Sequence, residues 1–199
     1  MSDIKQELDF EAGFWGDCTN TYAEEKKQFV YARLLGFYML PNDYTYFDVV
    51  NKKIMDVGGG PVSLLLKTLN LGKGSTVVDP IAYPEWTRWR YQAKGINYCQ
   101  AYGEQIIDGF ESNSFDEVWM YNCLQHTTDP KKIIDGCKKV APVLRIFEWI
   151  DIPPHEGHPQ MLTEANLDEW IGQKGSVCRL TESNCVGKAY YGTFKHRNA

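Results

Sequence analysis

The chain has 199 residues and a mass of 22.8 kDa, with 26 acidic against 21 basic side chains and a formal charge of −5. That length suits one domain, and 43% hydrophobic with 24% charged residues is a globular balance that excludes disorder, collagen and coiled coil as the organising principle. A pI near 5.4 argues against general binding to nucleic-acid backbones, and 14% aromatic residues call for a well-filled core, an aromatic-lined pocket, or both.

Met1 to Asp9 carries Asp3, Glu7 and Asp9 without an apolar run, so no signal peptide is read there. Nowhere do 18 apolar residues follow one another, and no membrane span is expected. Phe10 to Trp15 is an aromatic segment whose pattern leaves its structure open. Thr21-Tyr22-Ala23-Glu24 fits a capping box, and Ala23, Val30, Leu34 and Phe37 recur at helical spacing until Gly36 and Pro41. The spacing predicts a helix from about Tyr22 to Leu35, and residues 1–50 form an N-terminal helical extension or lid. Residues 51–199 form one compact unit.

From Lys53 onward short apolar runs alternate with helical stretches. Strands are expected at Ile54–Val57, Ser75–Val78, Ile96–Gln100, Phe115–Tyr121 and Val143–Trp149. Between them the pattern predicts helices at Ser63–Leu69 and Pro84–Lys94, and one opened by Asp129 as N-cap with Pro130 in the first turn. Thr163 caps a helix bearing Leu167, Trp170 and Ile171 on one face. Val177–Asn184 and Lys188–Lys195 then read as two strands turning at Val186-Gly187. The alternation implies a parallel sheet covered on both faces, and the closing hairpin an antiparallel edge. Six cysteines stand nowhere at C-x-x-C spacing, so they read as reduced, mostly buried thiols of a cytoplasmic protein.

The densest chemical signal is Asp56-Val57-Gly58-Gly59-Gly60-Pro61-Val62-Ser63, between the first strand and the helix expected behind it. Glycines there let the backbone turn sharply and approach a ligand closely. Asp79, ending the second strand, answers them as an acid able to accept the hydroxyls of a ribose. Together they point to a nucleoside-type ligand beyond the carboxyl ends of the strands.

Asp56-x-Gly58-x-Gly60 with Asp79 resembles the first two motifs of the class I S-adenosylmethionine-dependent methyltransferases. Their usual D-x-G-x-G-x-G here has Val62 at its last glycine. The likeness continues through Gln100 to Ile106, where Tyr102 stands at the family's adenine-contacting acid and Glu104 follows. It extends through Phe115-Asp116-Glu117-Val118, Leu124-Gln125-His126, Asp129-Pro130 and Lys138 to Pro142, the last without the family's usual glycine after proline. It covers roughly residues 50 to 195.

The resemblance implies a Rossmann-like, seven-stranded, mostly parallel α/β sheet with helices on both faces and a C-terminal antiparallel hairpin. It implies S-adenosyl-L-methionine as cofactor. Gly58, Gly59 and Gly60 would hold its amino-acid part, with Asp56 supporting the turn. Asp79 and Pro80 would lie at the ribose, Tyr102, Gly103 and Glu104 at the adenine, and Asn122 near the sulfonium.

Catalytic candidates are His126, after the fourth strand, and Glu148, at the end of the fifth; a capping or packing histidine is the commoner reading at the position of His126. Trp15 is a candidate lid or acceptor wall. His155 and His158, in the proline-rich loop from Ile152 to Pro159, fit a lid better than a metal site, for want of a third ligand. Trp86, Trp89 and Tyr91, between Arg88 and Arg90, read as aromatics packed on the sheet rather than as a nucleic-acid platform.

The activity implied is methyl transfer to an unidentified, small-molecule acceptor, with no metal, membrane or nucleic-acid partner and the oligomeric state open. Two alternatives stand beside it: a non-catalytic S-adenosylmethionine-binding module and a nicotinamide-dependent oxidoreductase.

Overall fold

The computed structural model describes residues 4–37, 39–40, 43–182 and 184–196. Seven strands form the main sheet: β1 (Ile54–Val57), β2 (Thr76–Asp79), β3 (Asn97–Gln100), β4 (Glu117–Tyr121), β5 (Val143–Trp149), β6 (Ser176–Glu182) and β7 (Cys185–Lys195). Their order is β3-β2-β1-β4-β5-β7-β6. The first five run parallel, and β7 inserts antiparallel to both β5 and β6.

β1, β2 and β4 are buried at every residue, as expected of central parallel strands with both faces covered. Alternate side chains feed two cores. Met55, Val57, Val118 and Met120 pack on one face with Ile106 of α4 (Ile106–Gly109), Ile133, Ile134 and Cys137 of α5 (Pro130–Val140) and Leu167 and Ile171 of α6 (Glu164–Ile171). On the other face Ile54, Val77, Trp119 and Tyr121 meet Tyr31 of α2 (Tyr22–Leu34) and Tyr91 of α3 (Glu85–Ala93). A small sheet of Met39–Leu40, Asp43–Asp48 and Thr68–Leu69 stands apart from the main one.

The parallel strands and the N-caps at Asp129 and Thr163 follow the sequence closely; Asp129 accepts from Lys132 N–H at 2.9 Å. Three local expectations are corrected. The segment from Ser63 to Leu69 is not one helix: 3₁₀ turns at Gly60–Val62 and Leu64–Lys67 flank an extended Ser63, whose ψ of 146° breaks any helix between them. The hairpin turns before Cys185, not at Val186-Gly187, which pair with Thr181 and Leu180 inside the ladder. Gly187 is there because a Cβ would stand 3.0 Å from the Trp149 ring, a close approach rather than a turn. Thr21 makes no backbone cap; its hydroxyl donates to Glu25 Oε1 at 2.8 Å. The segment of open structure before it, Phe10 to Trp15, completes α1 (Ile4–Trp15).

Candidate active site

Strand order reverses between β1 and β4, so the chain leaves their carboxyl ends in opposite directions and a crevice opens between the two exits. The glycine turn leaves β1 there and Asn122-Cys123 leaves β4. Gly58 and Gly60 take φ of +68° and +62°, and a Cβ on Gly58 would lie 2.5 Å from Cys123 Cβ. Only glycine lets the two loops approach this closely. Asn122 also adopts a left-handed φ, +56°, which asparagine tolerates better than most residues.

Asp79 fastens the turn across the gap. Its Oδ2 accepts from Gly60 N–H at 3.0 Å and its Oδ1 from Ile81 N–H at 3.0 Å. Burial pushes its carboxyl up to about 6 despite these bonds.

Behind the glycines lies a buried polar network. Tyr91 donates to Gly60 O at 2.5 Å and accepts from Ser63 N–H at 3.0 Å. Asp56 Oδ2 accepts from Ser63 Oγ and, at 2.6 Å, from Tyr121 OH, which itself accepts from Leu64 N–H at 2.7 Å. Ser63, next to Val62, is therefore a structural ligand of Asp56. Burial raises the Asp56 carboxyl to about 7.

Around this crevice a cavity of about 500 Å³ opens, a size suited to a cofactor or small substrate. Gly58, Gly59, Gly60, Asp79, Pro80, Tyr102, Gly103, Glu104, Asn122, His126, Trp15, His155 and His158 all line it. Two candidates do not. Asp56 sits wholly behind the glycines. Glu148, also fully buried, accepts from Cys123 and Leu124 N–H at 3.1 and 3.0 Å, and so holds the loop after β4 instead of facing the cavity. Burial pushes its carboxyl up to about 7. Glu104 lines the cavity, but its Oε1 already accepts from Thr128 N–H, Thr128 Oγ1 and Asp129 N–H at 2.9–3.2 Å.

The roof comes from the N-terminal segment. Trp15 packs against Gly60, with 3.5 Å between its ring and where a Cβ would stand. Phe10 and Phe14 of α1 and Lys27, Gln28 and Tyr31 of α2 complete it. His126, His155 and His158 cluster on the far wall, with ring centroids 4.4 Å apart for the first and last and 4.3 Å for the two loop histidines. No group of three or more side chains among the described residues is arranged to hold a metal ion. Burial and the neighbouring histidines push His158 down to about 4.

Glu11, Gln28, Tyr31 and Gln125 are cavity residues that sequence reasoning missed. Gln125 stands inside the Leu124-Gln125-His126 motif and could have been found there; Glu11 carries no spacing signal, because only the folded chain brings α1 over the sheet.

Residues 55–142 match the family model of a methyltransferase domain. No curated protein matches the sequence. Among solved structures, similar ones include the 1,6-didemethyltoxoflavin-N1-methyltransferase of Burkholderia thailandensis, with 1,6-didemethyltoxoflavin and S-adenosylhomocysteine bound. It is 14% identical, with a TM-score of 0.64 over 97% of this chain and 87% of that one. A complex of the Haloferax volcanii Trm112 methyltransferase activator and the putative methyltransferase gives 12% identity and a TM-score of 0.64 over 98% of each chain. A SAM-dependent methyltransferase from Aquifex aeolicus gives 16% identity and a TM-score of 0.55 over 98% of this chain and 100% of that one. At these identities the likeness is one of fold.

Proposed function

We propose, from the premise that residues 55–142 are a methyltransferase domain on a class I methyltransferase fold, that the chain transfers a methyl group from S-adenosylmethionine to a small-molecule acceptor. The observation that carries this reading is the glycine turn tied to Asp79 on the wall of a cavity at the sheet's switch point.

The residues fit such a donor. Asp79 accepts from the N–H groups of Gly60 and Ile81 and from the Tyr83 side chain, which leaves one of its four lone pairs for a ribose hydroxyl. Gly60 presents no side chain between the sheet and the Trp15 ring, so a ligand can lie close to its backbone. With Glu104 Oε1 occupied, adenine contacts fall to Tyr102, Gly103 and Glu104 Oε2.

The donor supplies an already activated methyl group, so the protein's work is alignment and exclusion of water. The aromatic roof of α1 and α2 serves both. The Burkholderia methyltransferase has 1,6-didemethyltoxoflavin bound together with S-adenosylhomocysteine, and the cavity of about 500 Å³ in this chain supports a small acceptor beside the donor. No helix among the described residues is long and apolar enough to cross a membrane.

Calorimetry with S-adenosylmethionine, S-adenosylhomocysteine and NAD tests the reading. The first two should bind and NAD should not. Asp79→Asn, which keeps an acceptor for Gly60 but loses charge, should weaken S-adenosylhomocysteine about tenfold or more, the scale of a charge-assisted hydrogen bond. Unchanged affinity, or preference for NAD, would refute it.

A further inference from the structure

His126 is bracketed by groups that dictate where its proton sits. Nδ1 lies 2.5 Å from the carbonyl oxygen of Gly157 and 3.0 Å from Glu11 Oε1. Both neighbours only accept, so Nδ1 carries the hydrogen of the neutral ring. Nε2 lies 3.4 Å from Gln125 Nε2, a donor that also gives a hydrogen to Asn122 Oδ1 at 2.9 Å. A donor beside Nε2 leaves that nitrogen's lone pair as the basic site.

The three elements that bracket the ring are far apart in sequence. Glu11 belongs to α1, Gln125 to the turn after β4, and Gly157 to the loop after β5. Docking of α1 is fixed beside the ring: a Cβ on Gly157, whose φ is +81°, would stand 2.3 Å from Phe10 Cε1. Gln125 adds a second observation. It is 2% exposed, and its Oε1 has no hydrogen-bond partner, an unusual state for a buried amide.

We propose that His126 is the general base of methyl transfer, that Glu11 is its positioning residue, and that the acceptor is therefore a small molecule whose nucleophilic oxygen or nitrogen must lose a proton. This rests on the methyl-transfer reading above. The acceptor's O–H or N–H bond breaks, its proton passes to His126 Nε2, and the electron pair left behind forms the new bond to the methyl carbon. The electrons of the breaking carbon–sulfur bond stay on sulfur, which loses its positive charge. Glu11 balances the imidazolium. A turn of the Gln125 amide gives the new Nε2–H the orphaned Oε1 as its acceptor.

Glu11 from α1 and His158 from the loop face the ring, with His155 behind His158, and the buried charge of Glu148 from β5 acts on it from behind the loop after β4. Burial disfavours the charged ring, yet Glu11, Gly157 O and Glu148 outweigh it, and His126 titrates above its ordinary value.

Long-range ¹H–¹⁵N correlation spectra of the histidine rings, with His126 assigned by its loss in His126→Asn, read the pair without any acceptor. Neutral His126 should carry hydrogen on Nδ1 only, and its titration midpoint should fall in Glu11→Gln. A hydrogen on Nε2 of the neutral ring, or equal midpoints in the two proteins, would overturn the pairing. S-adenosylhomocysteine calorimetry on the wild type separately tests the donor reading, since it can fail while the titration stands.

The catalytic step is read by incubating wild type with ¹³C-methyl S-adenosylmethionine and a small-molecule extract. The label should appear on oxygen or nitrogen, with transfer reduced tenfold or more in Glu11→Gln. Donor binding without transfer, or label on an atom with no proton to lose, overturns the general-base assignment.

Discussion

Gly58 carries two demands at once, a left-handed φ of +68° and a loop from β4 where its side chain would be. Gly58→Ala should therefore cost about 1–2 kcal/mol in backbone strain alone, with the contact to Cys123 adding to it. Urea unfolding should show a lower midpoint, and a change below about 0.5 kcal/mol would mean that the two loops part easily. Such residues are legible in sequence because geometry restricts what can occupy them; Gly58, Gly60, Asp79 and Asn122 are all of this kind. Glu148 was legible as an acid at a strand end but not as one turned inward, because only the register of β5 against the loop after β4 decides which way it faces. Glu11 was illegible altogether, since its meaning depends on a partner brought by the fold.

Among elements, α5 shows local and tertiary signals agreeing. Asp129 caps it, Pro130 opens it, and Ile133, Ile134, Cys137 and Val140 line its buried face. Removing the cap in Asp129→Ala should lower stability by about 1 kcal/mol, readable as a shift in urea midpoint with an unchanged slope. The segment after the glycine turn shows the opposite case. Its Leu64, Leu65 and Leu66 suggest a helix, but Ser63 is held extended and its hydroxyl is bound to Asp56, so the chain breaks into two short turns. Leu64 and Leu65 remain buried, so hydrophobic pattern foretold burial but not conformation. The small sheet beside Thr68 was likewise unreadable, its two-residue strands being too short to carry a period.

At the scale of the molecule, Asp56, Asp79 and Glu148 meet near one crevice with carboxyls raised to between about 6 and about 7. Their unfolded values lie near 4, so across the window from about pH 4 to 7 the folded protein holds protons that the unfolded chain releases. Their contribution to stability is thus fully present at the acid end of that window and is lost as pH rises through it. Asp56→Asn, which can still accept from Ser63 and Tyr121, should remove part of this dependence. The stability advantage of wild type over the variant should shrink between pH 4.5 and 7.5, measured by urea unfolding; a constant difference would place Asp56's folded value near its unfolded one. Glu117 behaves inversely. Burial opposes its charge, but hydrogen bonds from Arg145, Lys52 and Trp119 hold it down at about 2, so its contribution is present above about 4.5 and lost toward pH 2.

The N-terminal helix closes the cavity without belonging to either core: none of its described side chains is fully buried. Its grip consists of Phe10 against Gly157, Glu11 on His126 and Trp15 over Gly60, all on the cavity's rim. With no fully buried side chain among those described to expose, its local unfolding lies toward the inexpensive end of the molecule's stability range. Whatever occupies the cavity and touches the closed helix adds its binding free energy to that small closing term as well as to the sheet on which it rests. The order of twelve residues, Ile4–Trp15, thereby becomes a gauge of occupancy, read where the molecule is least firmly held.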